Sequence, residues 1–445
     1  MLQFQSKRPP VERRRFISHA VDSAIEEVSA AIRDPELAWL FANCLPNTLD
    51  TTVTFGFDCG GKPDTFVITG DIDAMWLRDS TNQVWPYLSF LGTDAELRTL
   101  IAGLIHRQAA CVRLDSYANA FFQDGTQESE WASDKTEMRP GVHERKYELD
   151  SLCAFFRLSC GYWAETSDAS CFDLGWQNAV AAALDTIELE QAGSEEGISS
   201  PYTFQRVLAG CSAQYPNQPS LRCGLSKSPF RPSDDPSLFP FLVPANAMTV
   251  VCLRQLAEML TKVDLALPLG RRAASLAETI ENGLRRHALV SHPVHGEIWA
   301  YEIDGFGGRY LMDDANVPSL LSLPYLGYCA KNDPLYQRTR AFVLSPENPY
   351  YAEGAAGRGI GGPHVGPGWI WPMSITMQAL TSDSDEEIAE CLRLLKASHA
   401  GTGFIHETFW KDDAARFTRP WFAWANTLFG ELLLTLHRER PHLLG

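Results

Sequence analysis

The chain has 445 residues, of which 45% are hydrophobic and 21% charged, with 12 Trp and 23 Phe among them. This composition is typical of an ordered globular protein with a large aromatic core. The net charge of −17 repels nucleic acid and anionic lipid surfaces, so we expect a neutral substrate and no nucleic-acid or membrane partner. Nothing in the sequence indicates an obligate protein partner.

Three further features concern the compartment. No run of 18 or more apolar residues is present, so we expect no transmembrane helix. The eleven cysteines include no CxxC pair, which argues against a disulfide framework and a zinc cage. Because the sequence also lacks a recognisable signal peptide, we expect a cytoplasmic protein, or a secreted one whose leader has been removed.

The basic N-terminal arm, residues 1–14, is interpreted as solvated.

Most of the predicted elements are amphipathic helices. The first covers residues 15–33, where Val21 and Ile25 recur at helical spacing opposite Asp22 and Glu26. The same periodicity predicts helices over 95–114, 147–166, 170–190, 246–263, 267–288, 385–398 and 421–437, separated by connections rich in glycine and proline. The sequence therefore predicts a fold dominated by α-helices.

Strand-like segments are few. Thr51–Phe57, Thr65–Thr69 and Ile298–Ile303 alternate in polarity or are β-branched, but they do not alternate with helices as in a parallel sheet. A Rossmann fold or an eight-stranded α/β barrel is therefore not expected. No linker or repeat divides the chain, so we expect one domain over residues 1–445.

One connection, Tyr350–Pro372, has the composition of a binding loop. It is too rich in glycine for a helix, yet it carries His364 and Trp369. Its GRGIGG segment is a poor dinucleotide motif, because no strand precedes it and no helix starts after it. We expect a loop that contacts a ligand from a rigid scaffold.

The first block with functional composition is TGDIDAMWLRDS, residues 69–80. Asp71 and Asp79 can accept hydrogen bonds from sugar hydroxyls and Arg78 can donate them, while the face of Trp76 can stack on a pyranose ring. This composition is typical of a sugar site. A helix N-terminus with local ion pairs would explain the same residues.

The second block, RKYELDSL over residues 145–152, places Glu148 and Asp150 in an otherwise apolar helix. Polar groups in such surroundings cost energy unless they are satisfied, which indicates a functional rim. Structural capping explains them equally well.

The third block, FRPSDDPSLF over residues 230–239, sets the adjacent acids Asp234 and Asp235 between apolar runs. Aromatic walls and a second acid raise the pKa of a carboxyl group, as a general acid working near neutral pH requires. Adjacent acids also occur in ordinary turns, so this block alone leaves both interpretations open.

In the fourth block, residues 401–434, Glu407 stands among aromatic side chains, and Arg419 and Trp424 follow. Such an acid is either part of a buried ion pair or a catalytic base. No HExxH, GxSxG or Cys/His ligand spacing is present, so we expect neither a metal nor a cofactor. The single imidazole of His364 is expected to donate a hydrogen bond to substrate or to be a satisfied loop residue, rather than to bind a metal.

Together these blocks resemble glycoside hydrolase family 125, the exo-α-1,6-mannosidases. The resemblance spans about residues 50–436 and is carried by TGDIDAMWLRDS, KYELDSL, SPYTFQR, FRPSDD, HVGPGWIWPMS, FIHETF and FTRPWFAWANTLFGEL. It implies an (α/α)6 barrel, a helical toroid with a few short strands in its loops. It also implies a mannose-containing oligosaccharide as substrate and metal-independent hydrolysis with inversion of the anomeric carbon.

The resemblance also implies site residues. The general acid falls on Asp234 or Asp235, with Asp234 preferred by its spacing from the base, and the general base falls on Glu407. The motif positions that would line the pocket for the terminal mannose are Asp71, Trp76, Arg78, Asp79, Tyr147, Asp150, Arg231, His364, Trp369 and Arg419.

Two other functions remain to be compared with this one. The first is an inverting hydrolase of α-glucosides on the same barrel, of the trehalase or glucoamylase kind. The second is a sugar-binding protein whose active site has lapsed, and the presence of both acid candidates and Glu407 argues against it.

Overall fold

The computed structural model describes residues 4–197, 200–208, 211–216 and 218–445. The α-helices in these ranges are α1 (His19–Ala31), α2 (Pro35–Cys44), α3 (Asn47–Thr51), α4 (Leu77–Val84), α5 (Ala95–Leu114), α6 (Leu149–Thr166), α7 (Leu174–Leu189), α8 (Val243–Lys262), α9 (Leu267–His287), α10 (Pro334–Val343), α11 (Pro372–Leu380), α12 (Asp385–Ser398) and α13 (Ala423–Glu439). Short 3₁₀ helices cover Val11–Arg13, Trp85–Phe90, Ser194–Glu196 and Pro441–Leu443.

The strands in the same ranges are short and pair as hairpins or three-stranded sheets. They are β1 (Val53–Phe57), β2 (Pro63–Val67), β3 (Met75–Trp76), β4 (Ala120–Phe121), β5 (Val142–Glu144), β6 (Phe204–Leu208), β7 (Cys211–Tyr215), β8 (Phe241–Leu242), β9 (Leu289–His292), β10 (Gly296–Trp299), β11 (Glu302–Ile303), β12 (Arg309–Tyr310), β13 (Tyr351–Glu353), β14 (Arg358–Ile360), β15 (Trp369–Ile370), β16 (Thr408–Trp410) and β17 (Asp413–Thr418).

The helices predicted from periodicity are all present, with ends that differ by at most four residues from those expected. The first begins at His19 rather than at residue 15, because Ser18 accepts a hydrogen bond from the backbone N–H of Val21 and caps the helix. Sequence periodicity does not predict α2, α10 and α11. In α11 nearly every side chain is buried, so the helix has no polar face to produce an amphipathic pattern.

The predicted strand Ile298–Ile303 is divided in the structure. Residues up to Trp299 form β10, which pairs with β9 in a hairpin. After Ala300 and Tyr301, β11 joins a different sheet, between β12 and β8. The predicted strands near residues 51–57 and 65–69 correspond to β1 and β2, which pair with each other from Val53 to Val67.

The inner layer of the fold consists of helices whose first turns are almost fully buried. α4 packs against α6 and α13, α6 also packs against α8, and α13 also packs against α11. Turns at residues 321–327 complete this layer, where Tyr325 donates a hydrogen bond to Glu431 of α13 at 2.9 Å. α1, α2, α5, α7, α9 and α12 pack outside it. This arrangement is the predicted (α/α)6 barrel.

The buried apolar side chains form a large continuous cluster that extends from Val21 to Leu444. The ten cysteines that the structure describes are free thiols, and eight of them are buried. Among the described residues, no helix is both long and apolar enough to cross a membrane.

Most of the described part of the N-terminal arm is exposed, at residues 5–7 and 10–13, as expected of a solvated arm, but two of its arginines anchor it to the barrel. Arg8 donates to Asp50 at 2.7 Å and to Asp22 at 2.8 Å. Arg14 lies 3.6 Å from the same Asp50 carboxylate. Asp50 is buried in α3, and a buried carboxylate requires a cationic partner. This need holds the arm in place, while Arg13 remains exposed.

We expect Arg8→Ala to lower the free energy of unfolding by about 1–3 kcal/mol, because it removes two charge-assisted hydrogen bonds to buried Asp50. Chemical denaturation would measure this change. Arg13→Ala is the matched control, since Arg13 is exposed, and we expect its effect to stay within about 0.5 kcal/mol. Equal stability of the two variants would show that the arm does not depend on Asp50.

Candidate active site

A cavity of about 370 Å³ opens where the first turns of the inner helices meet. Its wall combines carboxyl groups, guanidinium groups and indole rings, which is the composition expected of a sugar site. The lining residues are Thr69, Ile72, Trp76, Arg78, Asp79, Glu130, Trp131, His143, Glu144, Lys146, Arg206, Phe230, Pro232, Ser233, Asp234, Asp235, Pro236, Asn316, His364, Trp371, Glu407, Arg419, Phe422 and Trp424.

The structure brings most of the predicted site residues to this one cavity, although they are distant in the sequence. Those that line it are Trp76, Arg78, Asp79, Asp234, Asp235, His364, Glu407 and Arg419. Asp150 lies directly behind the wall, where it accepts a hydrogen bond from Arg78 at 3.3 Å. Asp71 lies at the rim and forms an ion pair with Arg419.

Tyr147, Arg231 and Trp369 were predicted to contact substrate, but the structure places them outside the cavity lining. Tyr147 packs its ring edge-on against Tyr117 in the core, at 5.0 Å. Trp369 stands at 5.6 Å from the ring of Trp410, on the outer side of the loop.

Arg231 has a structural role in the turn that carries the two acids. Its guanidinium donates to Glu302 at 2.6 Å, and its backbone N–H donates to the carbonyl of Asp235 at 2.8 Å. Glu302 is fully buried and also accepts the backbone N–H groups of Leu238 and Phe239. A buried carboxylate with these donors fixes the turn from both of its ends.

Within this turn, Asp234 adopts a left-handed backbone conformation, with φ at 62°. Such a conformation is uncommon for a residue other than glycine and persists where the surrounding contacts determine it. Ser233 contributes one of them, since its hydroxyl donates to Asp314 at 3.0 Å. The side chain of Asp234 is thereby directed to Arg78 and Asn119, at 3.2 and 3.3 Å.

Arg78 is the centre of a buried ionic cluster. Its guanidinium contacts four carboxyl groups, those of Asp79 at 3.4 Å, Glu148 at 2.5 Å, Asp150 at 3.3 Å and Asp234 at 3.2 Å. Arg78 itself is only 3% exposed. Four carboxyl groups around one guanidinium repel one another, so raised pKa values are expected among them.

The pKa values within the cluster diverge. Burial raises the pKa of Glu148 well above its usual range, although Arg78 opposes the effect. Burial also raises the pKa of Asp79, to about 6. For Asp234 burial acts in the same direction, but Arg78 and then Lys146 outweigh it and hold the pKa below the ordinary value. The raised pKa expected at the acid candidate is therefore found on its buried neighbour.

Asp235 faces a different partner. Its carboxylate lies 3.5 Å from Nδ1 of His364, the imidazole of the glycine-rich loop. Burial lowers the pKa of His364, but the hydrogen bond and the charge of Asp235 outweigh it and raise the pKa to about 9. His364 is therefore a cation at neutral pH. It brings a charged donor to the cavity, as the sequence predicts for a residue that binds substrate.

Glu407 lies in the C-terminal part of the chain, immediately before β16. Its side chain is 6% exposed and accepts a hydrogen bond from Arg419 at 3.3 Å. Arg419 has a left-handed backbone, with φ at 34°, and its Nε also donates to Asp71 at 3.2 Å. The guanidinium therefore orients Glu407 and closes one side of the cavity mouth.

Sequence reasoning missed one wall of the cavity, formed by Glu130, Trp131, Glu144, Lys146 and Arg206. The guanidinium of Arg206 stacks on the ring of Trp131 at 3.8 Å and pairs with Glu144 at 2.8 Å. Arg206 ends the SPYTFQR motif and Lys146 lies in RKYELDSL, so a weak signal existed. Trp131 stands in a connection without periodicity or motif, and no signal pointed to it.

Solved glycosidases share this fold. A bacterial glucoamylase in complex with acarbose aligns with a TM-score of 0.54 at 12% identity, over 96% of this chain and 58% of that one. That likeness supports the barrel alone. The cavity of this barrel gathers Asp234, Asp235 and Glu407, and a pair of carboxyl groups is what the hydrolysis of a glycosidic bond requires.

The sequence comparisons identify the family. The model of the metal-independent α-mannosidases, GH125, matches residues 34–434, and the chain belongs to this family. It is 44% identical to the meiotically up-regulated gene 157 protein of Schizosaccharomyces pombe, over all of this chain and 90% of that protein. It is 37% identical to a metal-independent α-mannosidase of Streptococcus pneumoniae solved in a non-productive complex with α-1,6-mannobiose. That structure aligns with a TM-score of 0.88, over 96% of this chain and 100% of that one.

We expect Asp235→Asn to lower the pKa of His364 from about 9 toward the ordinary value near 6.5, because the carboxylate that stabilises the imidazolium is removed. Nitrogen-15 NMR of the histidine rings would follow this titration. Buried His406, with a pKa lowered to about 4, is an internal control whose titration should not change. A wild-type His364 that titrates near 6.5 would contradict the ion pair.

Proposed function

We propose that this protein is an exo-acting α-mannosidase that removes terminal α-1,6-linked mannose from the non-reducing end of oligosaccharides, with inversion of the anomeric carbon. The observation that carries the proposal is the convergence of Asp234, Asp235 and Glu407, from segments about 170 residues apart, on one cavity. The complex of the Streptococcus pneumoniae relative with α-1,6-mannobiose supports the choice of linkage.

In this proposal Glu407 is the general base. Its carboxylate takes a proton from the water molecule that attacks the anomeric carbon, while a carboxyl group of the acidic turn protonates the departing glycosidic oxygen. We assign that acid to Asp234 and keep its neighbour Asp235 as the alternative. Asp235 is engaged with His364 at 3.5 Å, an arrangement suited to holding a sugar hydroxyl.

The size of the cavity supports exo action. At about 370 Å³ it lies at the small end of the range for ligand pockets, roughly 300–1,000 Å³. The ion pair between Asp71 and Arg419 closes one side of its mouth. A cavity bounded in this way fits the end of a glycan chain better than its middle.

We expect the purified protein to release mannose from α-1,6-mannobiose at least about tenfold faster than from the α-1,3- and α-1,2-linked disaccharides, a difference of roughly 1.4 kcal/mol in transition-state stabilisation. Chromatography of the products would measure the three rates. Maltose and trehalose should remain intact. If maltose or trehalose is cleaved faster than α-1,6-mannobiose, the α-glucosidase alternative is favoured. If mannobiose binds but is not cleaved, the active site has lapsed.

The first mannose released should be the β-anomer. Direct attack of water requires room between the base and the anomeric carbon, so an inverting enzyme places its carboxyl groups roughly 6.5–9.5 Å apart. Proton NMR within minutes of mixing would show β-mannose before mutarotation. An initial excess of α-mannose would indicate a covalent intermediate and would refute inversion.

Glu407→Gln should reduce turnover by roughly 10²- to 10⁴-fold with little change in substrate binding, because the amide keeps the shape of the side chain but cannot accept a proton. Initial rates on α-1,6-mannobiose and calorimetric binding would separate the two effects. Asp234→Asn and Asp235→Asn complete the series, and only the variant that lacks the acid should be rescued by a dinitrophenyl leaving group. Near-normal turnover of Glu407→Gln would remove Glu407 from the mechanism.

A further inference from the structure

Glu148 is a buried acid behind the cavity wall, and the reaction proposed above does not use it. Its side chain is 1% exposed and does not line the cavity. One carboxyl oxygen accepts hydrogen bonds from Arg78 at 2.5 Å and from the hydroxyl of Ser151 at 3.0 Å. The other oxygen, Oε1, lies 3.3 Å from the amide nitrogen of Asn119.

Glu148 and Asp234 share both of their donors. Arg78 contacts the two carboxyl groups through different nitrogens, at 2.5 and 3.2 Å. The amide nitrogen of Asn119 lies 3.3 Å from Oε1 of Glu148 and 3.3 Å from Oδ1 of Asp234. The two carboxyl groups also form a side-chain hydrogen bond with each other, which raises the pKa of Glu148 and lowers that of Asp234.

The donors around Asn119 are too few for the acceptors. Its amide group has two N–H bonds, but Glu144 also approaches the same nitrogen, at 3.2 Å, which makes three carboxyl oxygens. A deficit of donors among buried acids is relieved when one of the acids is protonated and donates a hydrogen bond itself.

The charges around Glu148 identify which acid holds that proton. The charged groups that face it are Arg78 from α4, Asp150 from α6, Lys146 from the preceding segment and Asp234 from the acidic turn. Glu144 approaches the Asn119 nitrogen that Glu148 shares. Lys146 pairs with Glu144 at 3.2 Å. Burial raises the pKa of Glu148, whose side chain is 0% exposed, well above its usual range. The side chain of Asp234 is 25% exposed, and the charges of Arg78, Lys146 and His364 together with the hydrogen bond of Glu148 keep its pKa lowered.

We propose that Glu148 is a positioning residue that stores the proton which Asp234 delivers to the departing glycosidic oxygen. This inference rests on the proposed function. Glu148 cannot reach substrate itself, because Asp234 stands between it and the cavity. Its effect on the reaction therefore passes entirely through Asp234.

The relay is balanced in protons and bonds. The proton on Oε1 of Glu148 moves to Oδ1 of Asp234. Asp234 passes this proton on to the glycosidic oxygen as the bond from that oxygen to the anomeric carbon breaks. Water forms the new bond to the anomeric carbon and gives a proton to Glu407. Solvent then takes the proton from Glu407 and returns one to the pair, so the sum is the addition of one water molecule.

The test measures the activity of the Glu148→Gln variant on two substrates. Glutamine keeps the size and hydrogen-bonding capacity of the side chain but has no acidic proton. We expect kcat on α-1,6-mannobiose to fall by about 10²-fold. On 2,4-dinitrophenyl α-mannoside, whose leaving group needs no protonation, kcat should stay within about threefold of wild type. The alkaline limb of the profile of kcat/KM against pH should move to lower pH, because Asp234 must then hold the proton alone.

Asp150→Asn is the matched control. It removes another buried carboxylate from the same guanidinium, at 3.3 Å, but no proton donor to Asp234, so its rates on both substrates should fall by similar factors. Glu148→Asp is a second variant in case the amide does not fold. It keeps an acid but withdraws it by one methylene, so mannobiose should be affected more than the dinitrophenyl substrate.

Equal losses on both substrates in the Glu148 variants, with an unchanged alkaline limb, would overturn the relay and leave Glu148 a purely structural role. The proposed function fails by a different result, namely that the wild-type protein does not hydrolyse α-1,6-mannobiose. The two failures are therefore distinguishable in one set of assays.

Discussion

The buried guanidinium of Arg78 is the interaction on which the site depends. It joins three segments that are distant in sequence, the first turn of α4, the start of α6 and the acidic turn that carries Asp234. Isolated charges at this depth cost several kcal/mol each, so none of these segments can withdraw without leaving an unpaired charge behind. The ionic cluster therefore fixes the geometry of the cavity at the same time as its charge.

The orientation of the inner helices also helps to stabilise the negative charges at the cavity. α4, α6, α11 and α13 place their first turns at the cavity, and the positive ends of helix dipoles stabilise nearby carboxylates. The residues at their N-caps are Trp76, Glu148, Trp371 and Phe422, which make no side-chain capping bond. Three of these side chains are aromatic and line the cavity. At these three N-caps, an aromatic side chain of the cavity wall therefore stands where a capping residue is usually found.

Most outer helices follow the opposite rule. Their N-caps are serine or aspartate whose side chains accept backbone hydrogen bonds, at Ser18, Asp34, Asp94, Asp173, Asp333 and Ser384. Where the helix also has a long amphipathic pattern, such a cap makes its start predictable from the sequence, and α5 and α12 begin at the predicted residues 95 and 385. The shorter α2 and α10 carry the same kind of cap but were not predicted. An inner helix such as α11 lacks both signals. Its position is determined by tertiary packing, which local periodicity does not record.

The residues of the site likewise divide into those that the sequence predicts and those that only the folded chain reveals. Glu407 and the acidic turn could be singled out from the sequence, because acids among aromatic residues are costly unless they are paired or hydrogen-bonded, but the residues alone left both a structural and a catalytic role open. Motif membership did not separate residues that touch the cavity from residues that support it, so Arg231 was assigned to substrate although its guanidinium is bound to Glu302. The location of the raised pKa was not predictable either. It depends on the complete burial of Glu148 and on the several cations that face Asp234, which only the folded chain defines.

The two adjacent acids of the turn show how backbone conformation gives identical side chains different chemistry. The left-handed φ of Asp234 changes the direction of the chain, so the two carboxyl groups leave the turn toward different partners. Asp234 meets the permanent charge of Arg78, and its protonation responds to the other acids of the cluster. Asp235 meets His364, a cation that can itself titrate. In the proposed mechanism one of these groups exchanges a proton and the other holds a sugar hydroxyl, and the left-handed conformation of Asp234 is what separates them.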